Sequence, residues 1–398
     1  MSVADRRNYA PADEAEAAEA VRAALKDRIR LDIVGGGTRR GLGRPPEGAE
    51  RLATARLAGI VFHEPAEMTI SIRAGTPLGA VEEALAAHGQ MLPFEPIDHR
   101  ALYGSRGEPT IGGLVATNAS GPRRISAGAA RDSLIGLRLV NGRGECVKSG
   151  GRVMKNVTGL DLVKLICGAH GTLGLVTEAT FKLLPRPQAE ATIVIRRLDD
   201  ERAVAAMTRA LGSPFGVSGA AAIGAGMGRE FPRTFLRVEG FAESVDYRAE
   251  RLIALLADLG AKHALRGEES QRVWRAVRDA EFLAEPRESA IWRVSLQPSK
   301  APQFVARLGA QALSHFYDWG GGLVWLASEP TESAAAAVRA ALAPFGGHAT
   351  LVRAPDELRA RVDVFEPLTP TLARLTKGVK ASFDPDGLFN FGRMIGGA

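Results

Sequence analysis

The sequence predicts an α+β protein with two domains, on the basis of three observations. The chain has 398 residues, 45% hydrophobic and 24% charged, which is an ordinary globular composition and enough for two cores at about 100–200 residues per domain. Short apolar runs alternate with glycine-dense segments up to residue 185. Beyond Pro185-Arg186-Pro187 the chain changes to alanine-rich helices between short strands, an α+β pattern. We expect a first domain at 1–188, a second at 189–375 and a C-terminal tail at 376–398.

Local patterns predict the elements of the first domain in order. An amphipathic helix is expected from Pro11 to Ile29, followed by a buried strand, Leu31 to Val34. A strand from Thr69 to Gly75 leads into a helix that starts at Thr76-Pro77 and ends at a glycine stop, Gly89. Further along, Leu137–Val140 and Cys146–Lys148 read as a hairpin around Asn141-Gly142, and Asp161–Ile166 as a short helix.

The second domain is expected to alternate strands with helices. The strands are predicted at Ala191–Ile195 and Phe235–Glu239, and the helices at Arg202–Leu211 and Arg248–Gly260. This alternation of short strands with alanine-rich helices is an α+β pattern.

Composition excludes several classes of function. Lys and Arg number 51 against 45 Asp and Glu, and they are scattered without a basic stripe; with only 6% aromatic residues, nucleic-acid binding is not expected. Cys146 and Cys167 are the only cysteines, too few for an iron–sulfur cluster built by this chain alone or for a disulfide framework. We therefore expect a reducing, cytoplasmic location. No signal-like or membrane-spanning run is present, so partners would carry any inner-membrane association.

A glycine loop directly follows the first predicted strand. Gly35, Gly36, Gly37 and Thr38 begin it, and Arg40 occupies the third glycine position of the G-x-G-x-x-G motif. Since Arg44-Pro45-Pro46 prevents a helix from starting here, Rossmann-type NAD binding is not expected. The loop is interpreted as a pyrophosphate cradle, and a plain flexible turn is the alternative.

Two further glycine-dense segments lie at residues 110–121 and 165–176. They contain no carboxylate, and glycine lets backbone N–H groups approach an anion such as a nucleotide pyrophosphate. The cofactor-binding residues predicted in these segments are Thr110, Ile111, Gly112, Gly113, Asn118, Gly121, Gly171, Gly174 and Val176. The ring of His170 is expected to matter less than its backbone.

These motifs together carry a family resemblance. Thr-Ile-Gly-Gly from Thr110, Lys-Asn-Val-Thr-Gly-Leu-Asp-Leu from Lys155, Gly-Ala-His-Gly-Thr-Leu-Gly from Gly168 and Lys-Leu-Leu-Pro-Arg-Pro from Lys182 occur in the order typical of FAD-binding domains of the vanillyl-alcohol-oxidase, or PCMH, type. The chain resembles in particular the smaller FAD-binding subunit of bacterial glycolate oxidases. The resemblance implies a PCMH-type FAD-binding domain of two subdomains, an antiparallel-sheet cap over the flavin, and a tail that folds back with Asn390 near FAD.

The resemblance also implies function. It suggests that the chain binds FAD and takes part in oxidising a small 2-hydroxy acid, glycolate, to glyoxylate with a catalytic FAD subunit and an iron–sulfur subunit. Relatives with covalent flavin carry a histidine where this chain has Thr38, so FAD is expected to be noncovalent.

The catalytic signal of metal-dependent relatives is missing. Their His-x-x-Gly-Asp-Gly-Asn-x-His pattern is replaced by Phe316 to Leu326, with His315 and His348 standing apart, so no metal site and no catalytic residue is assigned. Arg123, Arg124 and Arg131 are interpreted either as neutralising a phosphate or substrate carboxylate or simply as solvated.

Two other functions stay open on the sequence. One is an autonomous FAD-dependent 2-hydroxy acid dehydrogenase, which the missing histidines disfavour. The other is a scaffold that has kept the fold and lost the flavin.

Overall fold

The structure is a computed structural model that describes residues 9–46, 48–151, 160–225, 227 and 230–396. Residues 155–159 of the Lys-Asn-Val-Thr-Gly-Leu-Asp-Leu motif lie outside the described residues. Within them the helices are α1 (Glu14–Asp27), α2 (Leu78–Ala86), α3 (Arg100–Tyr103), α4 (Ile111–Thr117), α5 (Arg124–Ala127), α6 (Ala130–Ser133), α7 (Leu162–Ile166), α8 (Asp200–Leu211), α9 (Ala242–Leu255), α10 (Gly267–Arg278), α11 (Ala301–Leu308), α12 (Glu332–Leu342), α13 (Asp356–Arg361) and α14 (Pro370–Phe383). The strands are β1 (Leu31–Val34), β2 (Glu50–Ala53), β3 (Ile60–Glu64), β4 (Thr69–Arg73), β5 (Gln90–Met91), β6 (Leu134–Val140), β7 (Cys146–Gly150), β8 (Leu175–Lys182), β9 (Leu184–Pro185), β10 (Ala189–Arg196), β11 (Val217–Ile223), β12 (Arg233–Gly240), β13 (His263–Arg266), β14 (Ala290–Ser295), β15 (Ser314–Asp318), β16 (Leu323–Ser328) and β17 (His348–Arg353).

The elements from α1 to β9, here called the N-terminal unit, form two subdomains. β1 and β2 pair in parallel, and α1 buries Ala17, Val21 and Ala24 beside them. The Asp13 carboxylate accepts the Glu16 N–H at 2.8 Å and so fixes the start of α1, a cap that contributes about 1 kcal/mol in proteins. The second subdomain is a five-stranded antiparallel sheet in the order β3-β4-β8-β6-β7.

The elements from β10 to α13, here called the cap unit, are built on one antiparallel sheet of eight strands. Their order is β13-β10-β12-β11-β15-β16-β14-β17. One face of this sheet packs against α8, α9, α11 and α12 around Trp292 and Tyr317. Its other face, with Phe316 and Trp325, shares a continuous core with the N-terminal unit. Buried apolar surface therefore holds the cap unit against the N-terminal unit.

The C-terminal tail returns to the first subdomain. After α14, Leu388 and Phe389 are buried with α1, β1 and β2, and Phe389 bridges in parallel to Leu31. The buried Asp384 carboxylate holds this turn, because it accepts the N–H groups of Leu388 and Phe389 at 2.9 and 2.8 Å.

The α+β class with antiparallel sheets is confirmed, and so are the predicted hairpin, now β6 and β7, and the short helix α7. The predicted boundary at 188 falls between β9 and β10, and the one at 375 falls inside α14; both boundaries stay predictions. Helix α9 begins at Ala242 and ends at Leu255, earlier than the predicted Arg248–Gly260, because its apolar stripe starts at Val245.

Candidate functional site

The candidate site is a cavity at the carboxyl ends of the parallel strands β1 and β2. Val34, the last residue of β1, and Thr54, the first residue after β2, both line it. The space between its lining atoms is about 860 Å³, open solvent included. Crevices at this edge of parallel strands are common ligand sites.

The fold brings four distant segments of the sequence into this cavity. The predicted cofactor residues that line it are Gly35, Gly36, Gly37, Thr38, Thr110, Gly112, Gly113, Gly171, Gly174, Val176 and Asn390. They are separated by up to 355 positions in the sequence but line the same cavity.

Three predicted residues lie elsewhere in the structure. Ile111 is fully buried in the core between the units. Asn118 ends α4 with φ +48°, and its side-chain oxygen accepts the Arg131 N–H at 3.0 Å. The backbone carbonyl of Gly121 accepts a hydrogen bond from Trp319 Nε1 of the cap unit at 3.1 Å. These three positions therefore serve packing, a helix end and the contact between the units.

The loop at residues 35–39 carries the free backbone donors of the site. Its N–H groups donate to no other group in the part of the chain that the structure describes. Buried or half-buried N–H groups are normally paired, so a run of open donors beside a cavity marks a place for an external acceptor. Such a backbone concavity attracts anions.

Close packing, as well as backbone freedom, requires glycine in this loop. A Cβ on Gly35 would lie 2.3 Å from Thr110 Oγ1, and one on Gly36 would lie 1.8 Å from the carbonyl oxygen of Glu108. The loop thus rests directly on the segment that leads into α4, where Thr110 caps the helix.

The sequence predicts free backbone N–H groups in the segment at 110–121, and the structure corrects this prediction. The segment forms helix α4, and the N–H groups of Ile111 and Gly112 donate to the carbonyls of Thr76 and Ala74 at 3.1 and 2.7 Å. The glycines here allow close approach, because a Cβ on Gly112 would lie 2.9 Å from the Cβ of Ala74. The free donors lie instead in the 35–39 loop and at Gly171 and Gly174, which have no backbone acceptor among the described residues.

Asn390 joins the tail to both walls of the cavity. Its side-chain oxygen accepts the Ile33 N–H at 2.8 Å, and its amide donates to the His170 carbonyl at 2.7 Å. His170 has φ +52°, and burial together with the Arg393 charge lowers its pKa to about 4. The imidazole is therefore neutral at pH 7, and the backbone of His170 makes the structural contact.

The charge around the cavity is positive. Arg39, Arg40 and Arg393 line it and no carboxylate does. Arg40 and Arg393 both donate to the buried Asp32, at 2.7 and 3.0 Å, whereas Arg39 donates from Nη2 to the Ile97 carbonyl at 2.9 Å and its buried Nε has no acceptor in the described structure. Burial lowers the pKa of Arg39 to about 10, so it stays charged at neutral pH.

These arginines were missed at the sequence level, although Arg39 and Arg40 lie inside the predicted loop. The basic pair Arg39-Arg40 directly after the glycine loop was the sequence signal that could have indicated positive charge at an anion site. No comparable signal marked Arg393, which reaches the cavity only through the return of the tail.

The arginines singled out in the sequence have different environments. Arg123 is paired, with its Nη2 2.7 Å from Glu239. Arg124 stacks on the Trp319 ring, with its Cζ 4.7 Å from the ring centroid. Arg131 is exposed. The His315 side chain contacts Asp200 at 2.9 Å, and no group of three or more His, Cys, Asp or Glu suited to a metal occurs within the described ranges.

Open backbone donors, three arginines and a lining free of carboxylates make this cavity suited to the diphosphate of a dinucleotide. The glycine cradle, which a Cβ would fill, and the unpartnered Arg39 Nε both fit such a ligand.

Comparison with known proteins agrees with this geometry. A family described as an FAD binding domain matches residues 8–150. The chain is 35% identical over 377 residues to the glycolate oxidase subunit GlcE of Escherichia coli (strain K12), covering 94% of this chain and 95% of that protein. It is 32% identical over 150 residues to the glycolate oxidase subunit GlcD of Bacillus subtilis (strain 168), covering 38% of this chain and 30% of that protein.

Solved structures share the fold. The structure of p-cresol methylhydroxylase with substrate bound has a TM-score of 0.72 at 15% identity and covers 97% of this chain and 88% of its own. Alkyldihydroxyacetonephosphate synthase has a TM-score of 0.68 at 17% identity, with coverages of 96% and 76%. Fold, cavity and family match define an FAD-dependent oxidoreductase with a PCMH-type FAD-binding domain.

The extent of the similarity to GlcE is sufficient to go one step further. The chain belongs to the family of the glycolate oxidase subunit GlcE. None of the helices that the structure describes has the length and apolar character needed to cross a bilayer.

Proposed function

We propose that this chain is the FAD-binding subunit of a glycolate oxidase complex that oxidises glycolate to glyoxylate. The observation that carries the proposal is the 35–39 loop, whose open N–H groups line a cavity rich in arginine and free of carboxylates. The overall similarity to subunit GlcE supports the choice of substrate.

In this proposal the predicted residues hold FAD without a covalent bond. Gly35, Gly36, Gly37 and Thr38 would donate backbone N–H groups to the diphosphate, with Arg39 supplying positive charge beside them. Gly171, Gly174 and Asn390 would form the opposite wall. Thr38 offers no nucleophilic nitrogen for attachment, which supports noncovalent binding.

Bound FAD would supply the two-electron acceptor that alcohol oxidation requires. The chain's own contribution is to hold the cofactor, to exclude water through the apolar contact between the two units, and to keep positive charge near the anionic groups. We assign no catalytic base to this chain, since no described side chain is placed for that role by a contact.

The partner subunits are also part of the proposal. GlcE and GlcD are named as subunits of glycolate oxidase, and we propose a catalytic FAD subunit and an iron–sulfur subunit as partners. Cys146 is exposed and Cys167 is buried, so the electron relay through iron and sulfur is assigned to a partner, as is any contact with the inner membrane.

An autonomous 2-hydroxy acid dehydrogenase is the second candidate. The observation in its favour is the half-buried Arg293 between the two units, which has no hydrogen-bond acceptor in the described structure. We retain no scaffold function, because the cavity and the family match both support FAD binding.

The test is reconstitution. The purified chain is expected to show flavin absorbance, and acid precipitation is expected to release the flavin into the supernatant. Co-expression with candidate partners should give glycolate-dependent dye reduction that is lost when this chain is omitted or carries Gly36→Ala. A colourless chain that binds no added FAD would refute the proposal, and bleaching by glycolate without partners would favour the autonomous enzyme.

A further inference from the structure

Arg293 occupies an unusual place on the cap sheet. Along one row of cross-strand partners, Arg293 of β14 lies between Thr350 of β17 and Trp325 of β16, and the row continues through Phe316 to Ile223. Trp325, Phe316 and Ile223 are buried in the core shared with the N-terminal unit. The neighbouring β14 residues Trp292 and Val294 face the other core. Arg293 is thus a charged residue in an otherwise apolar or neutral row that faces the N-terminal unit.

The Arg293 guanidinium has no hydrogen bond or ion pair with any residue that the structure describes, and its one specific contact is an aromatic ring. Its Cζ lies 4.9 Å from the centroid of Trp319. Arg124 of the N-terminal unit contacts the same ring at 4.7 Å and likewise has no described acceptor. Two positive groups from different units therefore meet at one indole without a carboxylate to pair them.

Two other buried arginines at the contact between the units have acceptors for their guanidinium groups, unlike Arg293 and Arg124. Arg237 binds the carboxylate of Glu95 through two nitrogens at 2.9 Å each. Arg353 donates to four backbone carbonyls, among them that of Leu102 at 2.9 Å. The guanidinium groups of Arg293 and Arg124 are half-buried and have no protein acceptor in the described structure, so they are available to a ligand.

The charges of Asp318 and Asp132 act on Arg293 and Arg124, respectively, but neither carboxylate forms a described hydrogen bond or ion pair with these guanidinium groups. The Oδ1 atom of Asp318 accepts the Trp319 N–H at 2.7 Å, and burial raises the pKa of Asp318 to about 7, so a substantial fraction is protonated at neutral pH. Burial, together with the Arg124 charge, lowers the pKa of Arg293 to about 10, which leaves it cationic.

Trp319 of the cap unit is hydrogen-bonded to the N-terminal unit. It has φ +52°, and its Nε1 donates to the Gly121 carbonyl at 3.1 Å. A guanidinium that lies over an aromatic ring keeps its N–H edge available, and that edge matches the two oxygens of a carboxylate. The indole therefore contacts one guanidinium from each unit, and each guanidinium has an edge that can bind a carboxylate.

The strand next to Arg293 is connected to a segment that contacts the FAD cavity. β17, adjacent to Arg293, is tied to the segment before Phe365, because the Leu351 N–H donates to the Val364 carbonyl at 2.8 Å. The Phe365 ring contacts the ring of His170, a cavity-lining residue, with centroids 4.9 Å apart.

We propose that Arg293 and Arg124, positioned by Trp319, bind the carboxylate of a small 2-hydroxy acid at the junction of the two units. This inference rests on the proposed function, because it assumes that the substrate of the FAD site is a hydroxy acid. It assigns part of substrate recognition to this chain.

The test uses the full FAD-loaded chain and isothermal titration with glycolate under anaerobic conditions. Ethylene glycol, which replaces the carboxylate by a neutral alcohol, is the matched ligand control. Arg293→Met and Arg124→Met are each expected to weaken glycolate binding roughly tenfold or more, since each removes a charge-assisted contact. Arg293→Lys should recover part of the affinity, because it keeps the charge without the fork.

Two controls separate this site from the cofactor site. Arg307→Met, at an exposed position of α11, should leave glycolate binding unchanged. FAD affinity, measured by quenching of flavin fluorescence, should stay within about twofold in the Arg293 and Arg124 variants, and circular dichroism melting identifies any variant that fails to fold.

Three results would overturn the inference. The first is equal glycolate affinity in the wild type and in Arg293→Met. The second is a loss of FAD affinity in Arg293→Met, which would show that the cofactor is the anion bound by this arginine. The third is a wild-type chain that binds FAD and supports dye reduction in the complex but does not itself bind glycolate. That last result removes the carboxylate site and leaves the proposed function intact, whereas failure to bind FAD refutes the proposed function first.

Discussion

Replacing Gly36 by alanine is expected to disrupt the proposed cradle through a defined steric conflict. The added Cβ would lie 1.8 Å from the Glu108 carbonyl oxygen, while ordinary contact begins at 3.4 Å, so the two backbones must separate by about 1.6 Å. A hydrogen bond tolerates only a few tenths of an ångström around its usual 2.7–3.2 Å. Loss of two charge-assisted bonds, at about 1.5–3 kcal/mol each, would lower FAD affinity by roughly 100-fold or more.

The assay is titration of the FAD-free chain, followed by quenching of flavin fluorescence and by thermal unfolding. FAD at about one hundred times its Kd should stabilise the wild type by about 2.7 kcal/mol, and Gly36→Ala should lose most of this gain. Gly37→Ala is the matched control: its Cβ meets no atom within 4 Å, but its φ is +76°, so it costs only about 1–2 kcal/mol of backbone strain. If Gly36→Ala binds FAD as tightly as the wild type with an unchanged melting temperature, the 35–39 loop is not the diphosphate site.

Three further predictions concern the parts that hold the site together. Burial raises the pKa of the Glu95 carboxyl, but the Arg237 and Arg123 charges outweigh burial and lower the pKa to about 2. The ionised carboxylate therefore stabilises the fold fully above about pH 4.5, and this stabilisation is lost as the pH falls toward 2. The free energy of unfolding in urea should therefore fall between pH 5 and pH 3, and less steeply in Glu95→Gln; equal slopes would refute this. Asp384→Asn should destabilise the chain by about 1–3 kcal/mol, because one amide cannot accept the hydrogen bonds that the buried carboxylate accepts from Leu388, Phe389 and Lys380. A melting temperature equal to that of the exposed control Asp386→Asn would contradict this expectation. Asn390→Asp should weaken FAD binding by about tenfold, since an oxygen would then face the His170 carbonyl in place of the donating amide; fluorescence titration measures this, and unchanged affinity would show that the tail is not needed for the cofactor wall.

Local elements were predictable because their signals are short-range. The apolar spacing of α1, the Asn-Gly turn between β6 and β7 and the capped start of α7 depend on residues within a few positions of one another. The order of the eight-stranded sheet was not predictable in this way, since β11 pairs with β15 nearly one hundred residues later. Such pairings are decided by burial of distant side chains.

The site was predicted in part for the same reason. Glycine density located the 35–37 loop, where glycine is required by the contact with Glu108. At 112–113 the same signal was interpreted as a donor loop, yet the segment is helical because Thr110 caps it and its first N–H groups find acceptors in the 74–76 segment. Helix propensity of glycine is low, and tertiary packing overrides it here.

Paired and unpaired arginines separate structural from functional charge in this protein. At one point of the contact between the units, Arg237 is 1% exposed, and with Arg123 it is matched to the carboxylates of Glu95 and Glu239. Removing one member would leave a buried charge, which typically costs about 3–5 kcal/mol, so that network explains the docking of the units without any ligand.

At Trp319 the same two units meet through a hydrogen bond from the indole to the Gly121 carbonyl and through two arginines that have no hydrogen-bonded carboxylate in the described structure. The two contacts share the same units and the same residue type, and differ in whether an acceptor is present. A docking surface alone accounts for the first and not for the second. An anion from outside the chain would supply the missing acceptor, and for this physical reason Arg293, rather than the better paired Arg237, is the residue to test for recognition of the substrate.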